Sequence, residues 1–418
     1  MTDTAPQQTQ RAPVHAAMDQ FRLQDGELSI GGAPVSRLAA RVGQTPFYAY
    51  DRALLRARVA TLREALPPAI KLHYAMKANP MPALVGYMAG LADGIDVASA
   101  GELKVALDAG ADAQEISFAG PGKREAELRQ AVASRVLVNV ESMREVHLLG
   151  AISGDLGLPA RVAVRVNPDF ELKGSGMKMG GGPKQFGIDV EQMPELLAAI
   201  GQAGLAFEGF HLFAGSQNLR AESICEAQLK SYELALRLAE PAPGPVRFLN
   251  LGGGFGIPYF PGEQRLDLQP IADNLARLVE RAKRDLPEVA LVIELGRYLI
   301  GEAGVYVTRI VDRKVSRGQV FLITDGGLNH HLSASGNFGQ VIRKNYPVTV
   351  GNRAAAAERE IASVVGPLCT PLDLLADRME LPVARVGDLV VLFQSGAYGA
   401  SASPQAFLGH PPCIEVLV

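Results

Sequence analysis

The amino-acid sequence predicts an α/β protein in which a (β/α)8 barrel is followed by a C-terminal antiparallel β domain. The chain has 418 residues, more than a single hydrophobic core ordinarily organises. Short β-rich runs alternate with helical stretches through the first two-thirds of the sequence, as they do in folds built from repeated βα units. Beyond residue 300 the alternation stops, and strand-like runs follow one another with little helix between them.

Eight runs are candidate barrel strands. They are 71–76, 94–97, 116–118, 135–140, 161–166, 207–213, 246–251 and 291–295. The runs 161–166 and 290–294 are rich in aliphatic and β-branched residues, which is typical of strands buried on both faces. Helix-like stretches such as 101–109 and 194–200 lie between most of the runs. A doubly wound open sheet has the same alternation and is the competing arrangement.

The domain boundaries follow from these runs. We expect the barrel to occupy residues 51–300 and the β domain residues 301–418. Residues 21–50 precede the barrel and are expected to pack with the β domain. Residues 1–20 are polar and rich in glutamine, and we expect them to form a disordered tail.

Composition excludes several classes of function. Apolar residues make up 48% and charged residues 20% of the chain, which fits a globular enzyme. A net charge of -3 gives no basic surface for nucleic acid. We also expect no membrane association and no secretory signal, because no apolar segment of suitable length occurs. The three cysteines Cys225, Cys369 and Cys413 lie far apart, which argues against disulfides and a metal site and favours the cytoplasm.

Lys77 is the first residue that suggests chemistry. It ends the apolar run 71–76, and 78–80 stop the strand. A lysine at the end of a buried strand is either an ion-pair partner or a covalent handle for a carbonyl group, because a buried amine loses its charge readily and can form a Schiff base. The residue alone does not decide between the two.

Polar residues and glycines recur where the other candidate strands end, and active sites of (β/α)8 barrels lie at that rim. The residues at these ends are Lys77, Asp96, Gly120, Glu141, Arg165, His211, Gly252, Gly253, Gly254 and Glu294. We therefore expect a single site built from several strands.

The last two strand ends suggest an anion site beside an acid. Gly252, Gly253 and Gly254 would let backbone N–H groups close on a phosphate, although a bare tight turn is the alternative. Glu294 and Arg297 form either a structural ion pair or a functional pair, with Arg297 on a phosphate and Glu294 on a ring nitrogen.

A lysine, a phosphate site and an acid together match pyridoxal 5'-phosphate, which needs a Schiff-base lysine, a phosphate cradle and a partner for its pyridine nitrogen. A carboxylate keeps that nitrogen protonated, because opposite charge stabilises the cation. Arginine at this point would withdraw less charge and suit racemisation. Glu294 therefore favours decarboxylation.

From about residue 40 onward the chain resembles the fold-type III pyridoxal-phosphate-dependent decarboxylases, the group of diaminopimelate and ornithine decarboxylases with an alanine-racemase-like barrel. The motifs that carry the resemblance are 74–79 around the lysine, 96–102, 252–254, 294–297, 366–373 around Cys369, and 396–399 around Tyr398. The resemblance implies a homodimer with shared active sites.

The resemblance also implies roles for individual residues. Cys369 would reach the cofactor of the other subunit and protonate the carbanion left by CO2, although a packed core thiol is the alternative. Ser216 and Tyr398 would assist the phosphate. Asp96 and Arg165 would lie beneath the cofactor ring and hold its orientation.

The sequence departs from the family pattern at positions that concern the substrate. Phe213 stands where a histidine normally stacks on the ring, and His211 points the same way two residues earlier. Ser333 replaces an arginine that grips the distal carboxylate of diaminopimelate, and Thr370 replaces a glutamate that meets its distal ammonium. Asp325 would instead meet a distal amine, and Asp373 is also expected to bind substrate.

Without the arginine clamp, free meso-diaminopimelate is a doubtful substrate. The fuller pattern, which includes 213–220, 174–187 and 369–373, is similar to the exosortase-associated and exopolysaccharide-linked branch and implies a carrier-tethered amino acid. Loop 173–184 carries Lys173, Lys178 and Lys184, which would contact such a carrier. A solvated flexible loop is the alternative there. Diaminopimelate decarboxylase proper, a racemase, a non-catalytic pyridoxal phosphate protein and a catalytically dead relative remain as other readings of the fold.

Overall fold

The structure is a computed structural model that describes residues 13–170, 177–178 and 181–418, with only the backbone at 177–178. Residues 1–12 of the predicted tail, and most of the lysine-bearing loop including Lys173, lie outside these ranges. Residues 13–20 contact the rest of the protein. The carbonyl of Val14 accepts a hydrogen bond of 2.9 Å from the amide of Gly262, and His15 Nε2 lies 2.8 Å from the carbonyl oxygen of Asn345.

Short elements precede the barrel. They are β1 (Leu23–Gln24), β2 (Glu27–Ile30), β3 (Ala33–Pro34), α1 (Val35–Val42) and β4 (Phe47–Tyr50). Strands β1 to β3 form a small sheet of their own. Apolar side chains of this region pack in one cluster with Val305, Val307 and Leu389 of the C-terminal domain.

The barrel region alternates strands and helices. Its strands are β5 (Ile70–Ala75), β6 (Gly94–Val97), β7 (Ile116–Phe118), β8 (Leu137–Val140), β9 (Arg161–Asn167), β10 (Met177–Lys178), β11 (Ile188–Asp189), β12 (Ala206–Leu212), β13 (Gly215–Ser216), β14 (Phe248–Gly253) and β15 (Ala290–Leu295). Its helices are α2 (Arg52–Ala65), α3 (Pro82–Ala89), α4 (Ala100–Asp108), α5 (Glu125–Ala133), α6 (Met143–Leu156), α7 (Met193–Gln202), α8 (Ala221–Ala239) and α9 (Gln269–Asp285).

Eight parallel strands close into the predicted barrel, in the order β5, β6, β7, β8, β9, β12, β14, β15 and back to β5. The barrel prediction is confirmed, and the open sheet is excluded because β15 pairs with β5 in register from Leu291–Ile70 to Leu295–Tyr74. All the side chains of β6, β7 and β8 are buried. This explains the nearly continuous apolar runs in the sequence.

Several barrel helices begin at side-chain caps placed directly after a strand. Ser99 Oγ accepts a hydrogen bond of 3.1 Å from the amide of Glu102 at the start of α4. Ser142 Oγ accepts one of 3.3 Å from the amide of Glu145 at the start of α6. These caps satisfy amides at the first turn and fix where the chain turns away from the rim. The polar residues just before them stay at the carboxyl ends of the strands.

The C-terminal domain begins after α10 (Arg297–Ile300). It contains β16 (Gly304–Ser316), β17 (Gln319–Thr324), β18 (Val348–Val350), β19 (Arg359–Val365), β20 (Leu374–Pro382), β21 (Leu389–Leu392) and β22 (Ile414–Leu417). The sheet order is β18, β21, β16, β17, β19, β20, with β4 joining β16 and β22. The predicted antiparallel character holds for most pairs, but β17–β19 and β22–β4 are parallel. No described helix is long and apolar enough to cross a membrane.

Candidate active site

Lys77 lies on a single helical turn, Met76–Ala78, directly after β5. Its Nζ atom is 3.8 Å from Glu294 Oε1, and its side chain is 42% exposed. Burial lowers the pKa of Lys77, but the charges of Glu294, Tyr398 and Asp96 together outweigh burial and raise the pKa above its usual value. The amine is not buried, because it faces both an open cleft and a carboxylate, and its role as a Schiff-base lysine stays a prediction.

A cleft of about 340 Å³ opens beside Lys77, between the barrel rim and the C-terminal domain. Seven residues predicted from the sequence line it, namely Lys77, Phe213, Ser216, Gly254, Glu294, Arg297 and Tyr398. Lys77 Nζ lies 5.4 Å from the centre of the Phe213 ring. The fold therefore brings together residues that are spread over more than three hundred positions of the sequence.

Glu294 is the penultimate residue of β15 and is buried at the back of the cleft. Its Oε2 atom lies 3.1 Å from His211 Nε2 and accepts a hydrogen bond of 3.4 Å from Asn250 Nδ2. Burial raises the pKa of Glu294, but the His211 contact and the charge of Lys77 together outweigh burial and hold the pKa well below its usual range. The carboxylate therefore stays ionised.

Arg297 provides positive charge on one wall of the cleft. Its Nη1 donates a hydrogen bond of 2.8 Å to the Tyr259 hydroxyl, and its Cζ lies 4.7 Å from the centre of the Tyr398 ring. Its Nε is buried without a hydrogen-bond partner among the described residues. Burial lowers the pKa of Arg297, but the neighbouring tyrosines, Tyr259 above all, together outweigh burial and raise the pKa above its usual value. The guanidinium therefore remains charged.

Tyr398 connects the C-terminal domain to the lysine. Its amide donates a hydrogen bond of 2.7 Å to the carbonyl of Ala78, the residue after Lys77. Its backbone adopts a φ of 53°, a left-handed conformation that a tyrosine rarely takes. This turn aims the tyrosine ring at Arg297 and into the cleft.

The glycine run after Asn250 is required by close packing. A Cβ atom at Gly253 would overlap the carbonyl of Glu294, and one at Gly254 would overlap that of Gly215. At Gly252 the Cβ would lie 2.8 Å from the carbonyl oxygen of Leu212. Gly252 and Gly254 also have positive φ angles of 72° and 73°. Of the three, only Gly254 lines the cleft. The close packing explains the glycines as a tight turn, and the anion site stays a prediction.

Asp96 and Arg165 were expected beneath the cofactor ring, and the structure gives both of them other partners. Asp96 is buried, accepts a hydrogen bond from Ser117, and lies 3.1 Å from His73 Nδ1. Arg165 donates a hydrogen bond of 3.1 Å to Glu141. Neither residue is among the described residues that line the cleft. Both act on it from a distance through their charges.

Most residues predicted to contact the distal end of a substrate already make hydrogen bonds within the chain. Asp325 accepts hydrogen bonds from Thr45, from Thr308 at 2.7 Å and from the amide of Arg309 at 2.9 Å. Its carboxylate thus joins three segments of the chain. The prediction that it meets a distal amine does not match this geometry.

Asp373 is 3% exposed, and its carboxylate accepts hydrogen bonds from the amides of Leu328 at 2.6 Å and Leu368 at 2.8 Å. It therefore holds the Cys369 segment in place, and its predicted contact with substrate stays a prediction. Ser333 Oγ donates a hydrogen bond of 3.0 Å to the carbonyl of Tyr398. Thr370 Oγ1 accepts one of 3.3 Å from the amide of Leu372.

Cys369 is an exposed free thiol. It is not among the described residues that line the cleft of its own chain. The segment that carries it is nevertheless well anchored, because the amide of Gly366 bonds to the carbonyl of Asp373 at 3.1 Å. The structure therefore presents this thiol on the outer surface of a single chain.

A buried ion pair at the barrel rim was not predicted. Lys123 is buried and donates hydrogen bonds to the carbonyls of Gly120 at 2.8 Å and Asn139 at 2.7 Å. It also pairs with Glu145 at 3.1 Å. Glu145 in turn accepts a hydrogen bond of 2.8 Å from the amide of Glu141, the partner of Arg165. The position of Lys123, three residues after the strand-end Gly120, was the only sequence signal for this network.

Comparison with known proteins identifies the class. The family described as "Pyridoxal-dependent decarboxylase, pyridoxal binding domain" matches residues 52–301. An L-glutamyl-[BtrI acyl-carrier protein] decarboxylase of Niallia circulans is 39% identical over 93% of this chain and 92% of its own. A diaminopimelate decarboxylase of Aquifex aeolicus is 35% identical over 95% and 92%.

A solved structure shows the same fold. The diaminopimelate decarboxylase of M. jannaschii in complex with L-lysine superposes with a TM-score of 0.85 at 26% identity, covering 95% of this chain and 92% of the other. The chain belongs to the pyridoxal-phosphate-dependent decarboxylases of fold type III. It is therefore an amino-acid decarboxylase, and its cofactor is pyridoxal 5'-phosphate.

The residues of the cleft fit this cofactor. Lys77 supplies an amine, the buried Nε of Arg297 has no partner among the described residues, and Gly254 lines the cleft wall without a side chain. An ionised Glu294 lies at the back, where a protonated ring nitrogen needs a negative partner. The cleft thus offers an amine for the aldehyde, a cation for the phosphate and a carboxylate for the ring nitrogen of the cofactor.

Proposed function

We propose that the protein decarboxylates an amino acid whose distal end is tethered to a carrier protein. The observation that carries this proposal is the environment of Ser333. It occupies the position of the expected arginine clamp, and its hydroxyl is used by the carbonyl of Tyr398. A serine held in this way provides no charge for a free distal carboxylate, whereas a thioester or amide has no charge to be met.

The cleft residues would bind different parts of the cofactor. Lys77 would hold the cofactor, Glu294 would pair with its ring nitrogen, and Ser216, Gly254, Arg297 and Tyr398 would hold its phosphate. When bound, the cofactor withdraws electrons from the α-carbon of the substrate. The bond from that carbon to its carboxylate breaks, CO2 leaves with no electrons from the bond, and a proton takes its place.

Phe213 would form one wall of the site. Its ring can lie against the flat face of the cofactor, as the histidine at this position does in the family pattern. Unlike histidine, it offers no polar atom to the departing carboxylate. An apolar wall beside the carboxylate favours its loss as neutral CO2, because charge is poorly solvated there.

We further propose a homodimer in which Cys369 of the partner subunit delivers the proton to the α-carbon. The thiol is exposed and lies outside the cleft of its own chain, as a group that serves a neighbouring cleft would. The three described cysteines are free thiols, which suits the reducing conditions of the cytoplasm.

A complementation experiment tests the shared site. Lys77→Ala and Cys369→Ala should each be nearly inactive alone. After the two variants are mixed under conditions that exchange subunits, about a quarter of wild-type activity should return, because half the dimers then contain one intact site. Activity that stays absent in verified mixed dimers would contradict the shared site.

The relative from Niallia circulans supports a tethered substrate, since its name specifies a glutamyl group on an acyl-carrier protein. The Aquifex aeolicus relative supports a second candidate, decarboxylation of free diaminopimelate. The identities of 39% and 35% favour the first, and so does Ser333. An amino acid of an exopolysaccharide pathway would fit the same cleft if its distal end were uncharged.

The deciding experiment measures CO2 release from matched substrates. Glutamyl thioesters of an acyl-carrier protein and of pantetheine would be compared with free glutamate, meso-diaminopimelate and lysine at equal concentrations. We expect the carrier-linked substrate to react at least about 100-fold faster, as kcat/KM, than any free amino acid. Comparable or faster turnover of free meso-diaminopimelate would overturn the proposal.

A further inference from the structure

The two oxygens of Glu294 have different surroundings. Oε1 lies on the cleft side, 3.8 Å from Lys77 Nζ. Oε2 lies on the barrel side, 3.1 Å from His211 Nε2 and 3.4 Å from Asn250 Nδ2. One oxygen thus faces the place where a cofactor ring would bind, while the other is held from behind.

His211 is placed for this contact by the strand register. In β12 it pairs with Arg165 of β9 on one side and with Asn250 of β14 on the other. The side chain is 2% exposed. Neither of its ring nitrogens makes a well-aligned hydrogen bond with the described residues. A buried imidazole without hydrogen-bond partners costs free energy, and its 3.1 Å contact with the charged Glu294 offsets part of that cost.

We infer that His211 is the positioning residue that holds Glu294 Oε2 at the back of the cleft and thereby keeps Oε1 turned toward the ring nitrogen of the cofactor. The inference rests on the proposed role of Glu294. For His211 to donate to Glu294 across this 3.1 Å contact, Nε2 must carry the hydrogen, because an ionised carboxylate only accepts.

The physical reason lies in competition for Glu294. Without His211, the carboxylate would keep only the longer 3.4 Å bond from Asn250 on the barrel side and could turn toward Lys77. A closer ion pair would stabilise the ammonium form of Lys77, and only the neutral amine reacts with the aldehyde of the cofactor. His211 therefore serves the site twice, by aligning Glu294 and by keeping it from holding Lys77 too tightly.

Other charged groups around the pair must stay constant in any test. Arg165 acts on both Lys77 and Glu294, while Asp96 and Tyr398 act on Lys77. They lie on β9, β6 and the C-terminal domain, so a substitution on β12 leaves them in place. A change seen on replacing His211 alone can then be assigned to its own contact.

The test uses His211→Leu, which removes the donor, and His211→Gln, which keeps an N–H group of similar reach. Each is made in the wild-type protein and in Glu294→Gln. The readouts are the dissociation constant for pyridoxal 5'-phosphate and the pH midpoint at which the lysine-bound cofactor forms, followed by its absorbance. We expect His211→Leu to weaken binding about 10-fold and to move the midpoint to higher pH, and His211→Gln to restore most of both.

In the Glu294→Gln background, His211→Leu should change neither readout further, because the group it positions is gone. Equal effects of His211→Leu in both backgrounds, or none in the wild-type protein, would overturn the inference. If His211→Leu does not fold, His211→Asn replaces it, since its shorter side chain also cannot reach Glu294. A Glu294→Gln variant that binds cofactor like wild type would instead refute the proposed role of Glu294.

Discussion

Glu294 interacts with several of the charged and polar groups around the cleft. It lies within 4 Å of Lys77 on one side and of His211 on the other. Arg165 acts on it from further away. A buried carboxylate is stable only when such partners surround it. Its low pKa is therefore a property of the whole arrangement.

Arg297 allows a test at the scale of one residue. Arg297→Met removes the charge but keeps a side chain that can pack between Tyr259 and Tyr398. We expect the dissociation constant for pyridoxal 5'-phosphate to rise by about 10- to 100-fold, because a phosphate loses a charged donor. Equilibrium dialysis or absorbance titration measures it.

Arg281 provides the matched control for that substitution. Its Cζ lies 4.9 Å from the centre of the Tyr232 ring, a similar stack on the outer helix α9. Arg281→Met should leave cofactor binding unchanged. Equal losses in the two variants would mean that stacking, and not the cleft charge of Arg297, is what matters.

At the scale of elements, the glycine run links β14 to both of its neighbours. Gly254→Ala places a methyl group against the carbonyl of Gly215 at a φ of 73°. We expect a loss of roughly 1–3 kcal/mol in the free energy of unfolding, together with weaker cofactor binding. Denaturant unfolding measures the first and absorbance titration the second.

Gly154 in α6 is the control for this substitution, since a Cβ there would meet nothing within 4 Å. Gly154→Ala should stabilise the protein by roughly 0.5–1 kcal/mol, because alanine suits a helix better than glycine. A Gly254→Ala variant as stable as wild type would show that the strand edge can shift to make room.

A second test at this scale concerns the core of the β domain, which β4 joins through its pairing with β16. His331 is buried among aromatic rings, including those of Tyr48, Tyr306 and Tyr346. Its Nε2 lies 2.9 Å from Ser395 Oγ. Burial lowers its pKa to about 3, so the folded protein holds it neutral. At a pH below about 6.5, the pKa of a histidine in the unfolded chain, unfolding is coupled to the binding of a proton that the folded protein does not bind.

The stability that His331 contributes is therefore full above about pH 6.5 and falls as the pH drops toward about 3. Between pH 7 and pH 5 the loss should be roughly 2 kcal/mol in the free energy of unfolding. His331→Asn cannot titrate and should lack this component. Urea unfolding at both pH values compares the two proteins, and equal pH dependence would contradict the assignment.

The positions of the strands were predictable because barrel strands are buried on both faces and their apolar runs are nearly continuous. The run 94–97 is β6, and 116–118 is β7. The run 246–251 was misplaced by two residues, since β14 extends through the glycines to Gly253 across an irregular register with β15. The two-residue strands β11 and β13 carry no periodic signal and were missed.

The site was predictable only in part, because a strand end indicates the rim but not the direction of each side chain. Lys77, Glu294 and Arg297 turn into the cleft, whereas Asp96 turns to His73 and Arg165 to Glu141. The hydrogen bonds of Asp325 and Asp373 join segments far apart in the chain. No local sequence pattern predicts these long-range hydrogen bonds.

At the scale of the whole molecule, the cleft exists because two domains meet at it. The barrel supplies Lys77 and Glu294, and the β domain supplies Tyr398, whose amide bonds to the carbonyl of Ala78. The same domain presents Cys369 on the outside. With the proposed roles of Tyr398 and Cys369, the reaction would need residues of both domains.

The most direct test of the account locates the cofactor on the chain. The loaded protein is reduced with borohydride, digested, and mapped by mass spectrometry. We predict a pyridoxyl group on the peptide that contains Lys77, and none after Lys77→Ala. Two results would contradict the assignment of this cleft as the active site. One is a pyridoxyl group on another lysine, such as the buried Lys123, and the other is unchanged labelling in Lys77→Ala.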